Sequence, residues 1–495
     1  MAEAVAKASG SRRWATMMPK GETGGVIENR ILTEFCAALG IEAPAAAAHV
    51  RLDLPVGAAG ALPSRLATTE LAIGSVAAAA AAAGMLAEAR GARAADWVVD
   101  ARRVAASFRG GQLLRLNGER FPGFAPLSGF FRTRDGWVRT HANYPHHRRR
   151  LTAALGLDES AGRPELEARL GRLGSVEAEE LIRAHRGIAA AVRTLEQWQA
   201  HPQSAAVAAL PLVAVKCLGD ATAREFTPPE PDPLRPAGGL RVLDFTRVIA
   251  GPVATRTLAM LGADVLRIDP PQMPEIVSQH LDNGMGKRSA LLDLREPEQR
   301  AILDRLLDFA DVVVTGYRPH ALDAFGLDPA TLATRRPGLV IASLDAWGST
   351  GPWRDHRGFD SIVQAASGIS MLESTDHAPG ALPVQALDHA TGYLLAAGVL
   401  YAVQRQKTQG GTWHVHAHLA RTAHSLTTHS APDAQPADPQ LDLDDCTAEQ
   451  QTDHGLLTYP LPALTTSAHP LDYPSVGGTW GADEPTWRSD RDIES

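Results

Sequence analysis

Three cysteines are all that this chain of 495 residues contains, and Cys36, Cys217 and Cys446 lie far apart with no metal-type CxxC spacing. An odd, scattered set of thiols predicts reduced cysteines in a cytoplasmic protein. Aromatics are sparse at 5%, and no basic run or aromatic-basic alternation points to DNA or RNA. The net charge of -8 opposes nonspecific binding to polyanions, so an anionic ligand must meet a local cluster of arginines. Long hydrophobic runs are also missing. The longest, Ile73 to Leu86, is mostly alanine and stops at Glu88, which is too short and too weakly apolar to span a bilayer. The first 25 residues carry charge without an apolar centre and read as a frayed tail, neither signal peptide nor anchor.

What is present is an ordinary globular composition, 44% hydrophobic and 21% charged, enough for at least two cores. Closely spaced prolines in FTPPEPDPLRPAGG mark a linker over residues 226–239. The organisation predicted is a disordered tail over 1–27 and an Ala- and Arg-rich, mostly helical half over 28–225. After the linker come an α/β half over 240–429 and a surface loop with a C-terminal tail over 430–495. Amphipathic spacing predicts helices over Val176 to Ala191 and Arg193 to Gln199. The two halves share a worn repeat. Ala61-Leu62-Pro63, Glu70 to Gly74, an Ala-rich helix and Trp97-Val98-Val99 parallel Ala381-Leu382-Pro383, Asp388 to Gly392, an Ala-rich helix and Trp413-His414-Val415.

The chemistry concentrates in LRVLDFTRVIAGPVATRTLAMLGADVLRID, from Leu240 to Asp269. It reads as buried strand, tight turn, helix opened by Gly251-Pro252 and closed by Gly262, then a second strand. Strand ends and helix amides meet at such a turn and favour phosphate. Asp269 stands where a ribose-binding acid would be, yet one glycine replaces the three of the dinucleotide fingerprint, which argues against a nicotinamide or flavin cofactor.

Further on come GKRSALLDL, ADVVVTGYRPHALDAFGL, GSTGPWRDHRGFDSIVQAASG and LDHATGY, in that order. With RVLDFTRVIAGP and LGADVLRID, these segments resemble the class III CoA-transferases of the formyl-CoA transferase and carnitine CoA-transferase type, from Leu240 to about Ser425. LPALTTSAHPLDYPSVGGTWGADEPTW looks like a worn C-terminal strand of that family. Asp135-Gly136-Trp137 and Arg193 to Trp198 resemble its smaller domain. The resemblance implies an α/β fold with a Rossmann-like parallel-sheet CoA-binding core and a smaller helical or α+β domain, assembled as a homodimer. It implies acyl-CoA and a carboxylic acid acceptor as substrates, while charge, hydropathy and residue spacing lead to the expectation of no nucleic acid, membrane or metal. It places the nucleophile at Asp388 and a second acid at Asp360. CoA contacts fall on Arg247, Val248, Arg267, Leu292, Tyr317 and Arg318, whose arginines can pair with phosphates while the tyrosine stacks on adenine. Carboxylate suits the task because its acyl adduct is itself an acyl donor.

Departures from the family qualify this expectation. Thr315-Gly316 replaces a Glu-Asn pair, and the family's glycine-rich covering loop has only Val476-Gly477-Gly478 as a counterpart. Glu70 holds the repeat position of Asp388 without the surrounding motifs, so that copy is expected to be inactive. Racemases of the same fold, acting on 2-methylacyl-CoA, are the competing enzyme reading; they need a histidine where this chain has Phe359. A non-catalytic acyl-CoA-binding protein is the second alternative. His414, His416 and His418 alternate along a strand, with His424 and His429 beyond, and could bind zinc. No carboxylate partner stands near them in sequence, which favours a solvent-facing or inter-subunit strand face.

Overall fold

Two long apolar helices lying against each other organise the computed structural model, which describes residues 29–55, 57–93, 95–223, 232–428, 442–468 and 470–488. The N-terminal tail, part of the proline-rich linker, most of the second polar loop and His429 lie outside these residues.

The first half begins with α1 (Arg30–Leu39) and β1 (Val50–Asp53), continues through α2 (Thr68–Ala89) to β2 (Trp97–Asp100), and turns directly into α3 (Ala101–Phe108). The alanine stretch therefore extends to a 22-residue helix, longer than its apolar run suggests. A compact module follows: β3 (Gly129–Arg132), β4 (Trp137–Thr140), α4 (Pro145–Ala154) and β5 (Ala189–Ala191), with the strands in order β3-β4-β5. The helix expected over Val176 to Ala191 stops at Ala184, because the three alanines after Gly187 pair with β4. The half closes with β6 (Val213–Gly219).

The second half is an α/β succession. Its elements are β7 (Arg241–Phe245), α5 (Ala250–Met260), β8 (Asp264–Asp269), β9 (Arg288–Leu291), α6 (Pro297–Phe309), β10 (Val312–Thr315), β11 (Val340–Asp345), α7 (Asp360–Ala366), α8 (Ala386–Gln409), β12 (Thr412–His418) and α9 (Leu419–Thr428). Its sheet has seven strands in the order β9-β8-β7-β10-β11-β12-β6, parallel except for β6. Strand order reverses between β7 and β10, where the crevice of an open parallel sheet receives its ligand.

The halves repeat one plan. β1 and β2 are parallel with α2 between them, as β11 and β12 are with α8. Each second strand runs straight into a helix, α3 or α9, and each takes an antiparallel neighbour on its far side. Those neighbours are exchanged. β12 pairs with β6 from the first half, and β2 pairs with β15 (Leu464–Thr466), which follows the hairpin β13 (Thr447–Thr452) and β14 (Gly455–Pro460) near the C-terminus. The final described segment, expected to be a tail with little periodic signal, folds back on the second half. The Trp480 indole donates to Asp269 at 3.0 Å and the Trp487 indole to the Leu306 carbonyl at 3.1 Å.

α2 and α8 are long and apolar enough, by length and composition, to cross a membrane, but 89% and 94% of their most apolar windows are buried inside the protein. They are core helices, apolar all round because protein surrounds them.

Candidate active site

Asp244, fully buried at the end of β7, shapes the first turn of the site. Its carboxylate accepts the Thr246 amide at 2.9 Å and the Thr255 hydroxyl at 2.6 Å, and pairs with the Lys287 ammonium at 3.0 Å. The turn it holds puts Val248 at φ 72, a conformation that a β-branched residue rarely adopts, and Asn283 donates to the Val248 carbonyl at 2.8 Å. Beyond the turn, the N-terminus of α5 opens onto a cavity of about 750 Å³, within the range of small-molecule sites.

Asp388, Arg247, Val248, Leu292, Tyr317 and Arg318 all line this cavity. Asp388 is the third residue of α8 and is almost entirely buried. Its carboxyl is held well above the usual range, first by burial and then by the charge of Asp360. Asp360, in the first turn of α7, is absent from the cavity wall and has no exposed surface. Its carboxylate accepts the Asp388 amide at 2.9 Å and the Gln364 side-chain amide, and Gln364 in turn accepts the Leu382 amide at 2.9 Å. Asp360 thus caps the neighbouring helix α8, from behind the residue it was expected to assist. Burial raises its pKa also, so two adjacent acids compete for ionisation.

Two predicted CoA ligands are committed elsewhere. Arg267, only 1% exposed and off the cavity wall, pairs with Asp269 and Glu275, each at 2.7 Å. Arg247 lines the cavity, but its guanidinium reaches Glu275 at 3.3 Å, donates to the Met273 and Pro274 carbonyls, and lies over the Tyr144 ring. Arg267 is a buried brace of β8, and Arg247 holds the rim loop. Asp269 faces the cavity while bound to Arg267 and Trp480. Arg318 is the exposed cation of the predicted set.

The structure supplies residues that sequence reading passed over. The head of α4, in the first half, brings Tyr144, His146, His147, Arg149 and Arg150 to the cavity, and Arg357 joins them from the segment before α7. Arg149, Arg186 and Arg318 lie close enough to act on Arg150, and burial together with Arg150, Arg318 and Arg186 pushes Arg357 down to about 10. The run His146 to Arg150 was the one sequence signal of this cluster, and it lies in the other half of the chain. Phe359 lines the cavity with its ring stacked on His141, centroids 3.9 Å apart, and His147 packs edge-on at 5.7 Å.

The His414, His416, His418 row does have a carboxylate partner, contrary to expectation. Asp345 on β11 is reached by His416 at 2.8 Å and His418 at 2.9 Å. The pairing is tertiary, 71 and 73 residues apart, and so invisible in local sequence.

A turn at the carboxyl end of β7, a buried carboxyl at the head of α8 and an arginine rim meet over one crevice. The chain belongs to CoA-transferase family III, whose family model matches residues 65–225 and 238–448. It is 34% identical over 196 residues to the probable fatty acyl-CoA transferase Rv3272 of Mycobacterium tuberculosis, covering 37% of this chain and 50% of that protein. It is 33% identical over 199 residues to the succinate–glutarate CoA-transferase of Agrobacterium fabrum, covering 36% and 50%. A crystal structure of Rv3272 aligns at 35% identity and TM-score 0.38 over 40% of this chain and 57% of that one. The chain spans about half the length of the curated relatives it matches.

Proposed function

We propose that this protein transfers coenzyme A from an acyl-CoA thioester to a carboxylic acid, with Asp388 as the nucleophile. The observation that carries the reading is a nearly buried carboxyl on the wall of a crevice, at the head of α8, with Asp360 fixing its backbone amide. Family membership and relatives named as CoA-transferases support it.

The ionised Asp388 carboxylate attacks the thioester carbonyl carbon; the C–S bond breaks, leaving an acyl-aspartyl anhydride and CoA thiolate. The thiolate attacks the aspartyl carbonyl, releasing the donor carboxylate and leaving an aspartyl-CoA thioester. The acceptor carboxylate then attacks that thioester and expels the thiolate again. Attack of the thiolate on the acceptor's acyl carbon releases the new acyl-CoA and regenerates Asp388. No net proton is consumed. Asp388 must start ionised, so its raised pKa makes the rate climb with pH, while the poorly solvated anion is a stronger nucleophile than an exposed one.

Arg318 and the rim arginines meet the CoA phosphates, joined by the positive N-terminal end of α5. Tyr317 stacks on the adenine, and Leu292 and Val248 form an apolar wall. Arg247 and Asp360 act as positioning residues, and Arg267 as a brace beneath the strand end. The head of α4 in the first half lines the same crevice as Asp388, so both halves of one chain contribute to the site.

The test is intact-protein mass after incubation with short and branched acyl-CoAs, with and without hydroxylamine, for wild type and Asp388→Ala. Hydroxylamine-dependent modification at Asp388, absent from the variant, is the expected result. Acyl-CoA binding with Asp388 never modified overturns the transferase reading in favour of a binding protein.

A further inference from the structure

The row of histidines on β12 is left unused by this reaction. Trp413, Val415 and Ala417 are buried on one face of the strand, so His414, His416 and His418 share the other. Parallel register sets His416 beside Ser343 and His418 beside Asp345. His416 Nε2 and His418 Nδ1 each reach a different oxygen of the Asp345 carboxylate, and one ligand atom from each of the three residues lies within 4.8 Å of the others. We propose that Asp345, His416 and His418 form a binding site for one divalent transition-metal ion of the zinc type, beside the acyl-CoA crevice.

Two imidazoles and a carboxylate are the ligand chemistry that borderline divalent ions select, and His-x-His on a strand delivers both nitrogens to one side. Zinc bonds of about 2.0–2.2 Å place tetrahedral ligands roughly 3.5 Å apart, so admitting the ion requires the present 2.8 and 2.9 Å contacts to open by several tenths of an ångström. Side-chain rotation supplies that. The carboxylate is already oriented from outside, since the Gly348 amide donates to Asp345 Oδ1 at 2.7 Å. His418 and Asp345 are buried, whereas the His416 side chain keeps 20% of its surface, an entry route for the ion. Asp345 also lines the crevice, which would put the ion next to bound substrate. His414 is held by Ser343, its Nε2 at 3.1 Å from the hydroxyl, and lies outside the ligand set. The site does not depend on Asp388 or on the transfer reaction.

The competing account is that the two imidazoles merely hydrogen-bond to the carboxylate. Glutamine can donate the same hydrogen bonds and is a poor zinc ligand, so the His416→Gln and His418→Gln variants separate the two. The full chain is stripped with chelator, titrated with zinc in a calorimeter, and assayed for retained metal by mass spectrometry after gel filtration. Expected are one retained zinc per chain in wild type and in His414→Gln, and binding weakened at least about 100-fold in either of the other two variants. Cobalt(II) should give the intense visible absorption of a tetrahedral site in wild type alone among wild type, His416→Gln and His418→Gln. Equal zinc binding by wild type and folded His416→Gln, or no stoichiometric zinc in wild type, overturns the proposal and leaves a hydrogen-bond network. The partly exposed His416 is the substitution least disruptive to folding, and thermal melting checks each variant.

Discussion

The heads of α2 and α8 are the same object in two surroundings. Each has an acid at its third residue, Glu70 or Asp388, and a glycine four residues on, Gly74 or Gly392. At α8 the close neighbour of that glycine is the start of α5: a Cβ on Gly392 would lie 2.5 Å from the Ala250 carbonyl, and the turn before α5 opens into the crevice. At α2 the same place is taken by the start of α1, where Asn29 caps its own helix and donates to the Glu70 carbonyl at 3.1 Å. Glu70 does not line the crevice. An acid at a helix head becomes a candidate nucleophile only where a strand, a turn and a second helix open a space in front of it.

The sharpest way to break that contrast is to remove each acid in turn. Asp388→Asn should lower CoA transfer by at least about 1,000-fold, roughly 4 kcal/mol of barrier, while Glu70→Gln leaves the rate within about twofold. Comparable losses in steady-state assays of both would make the first half catalytic. Next in size is the anion rim that faces the head of α8. Arg318→Ala should raise KM for acyl-CoA about 10- to 100-fold with little change in kcat, as for a lost charge-assisted contact to phosphate.

The glycines sharpen the comparison through stability. Denaturant unfolding of Gly392→Ala should show a loss of about 1–3 kcal/mol, because the obstructing atom is backbone. Gly74→Ala should cost a comparable amount, since a Cβ there would meet the buried capping side chain of Asn29 and the Ile31 Cβ at 2.7 Å, neither of them free to swing away. The smallest effect concerns pH. Neutralising the neighbour in Asp360→Asn lets Asp388 ionise more easily, so the acid limb of the rate profile should move to lower pH. Stability follows the same sign. In the wild type the folded state holds a proton that unfolded carboxylates release, so stability falls as pH rises from about 4 toward the raised pKa values, and the variant should show a shallower fall.

Much of the second half was legible in sequence because strand, turn and helix are local: β7, the head of α5 and Asp388 each carry their own pattern. Asp360 was legible as an acid beside Asp388, but its hold on the Asp388 amide was not, since capping across helices depends on packing. Arg267 looked like a phosphate ligand until its partner Glu275, on a loop without motif, came into view. Tyr144, His147 and Arg150 could not be assigned to the site, because nothing local links the head of α4 to a crevice more than a hundred residues further along the chain. Asp345 escaped as partner of the β12 histidines for the same reason.

The exchange of edge strands has a kinetic consequence. β6 must wait for β12, almost two hundred residues later, and β2 remains without its antiparallel neighbour until residues 464–466 have emerged. During synthesis at about 5–20 residues per second, those edges stay open for tens of seconds, available to any other strand. A chain laced in this way closes late, first at β12 and then at β15, and its two bare strand edges need shielding during the interval.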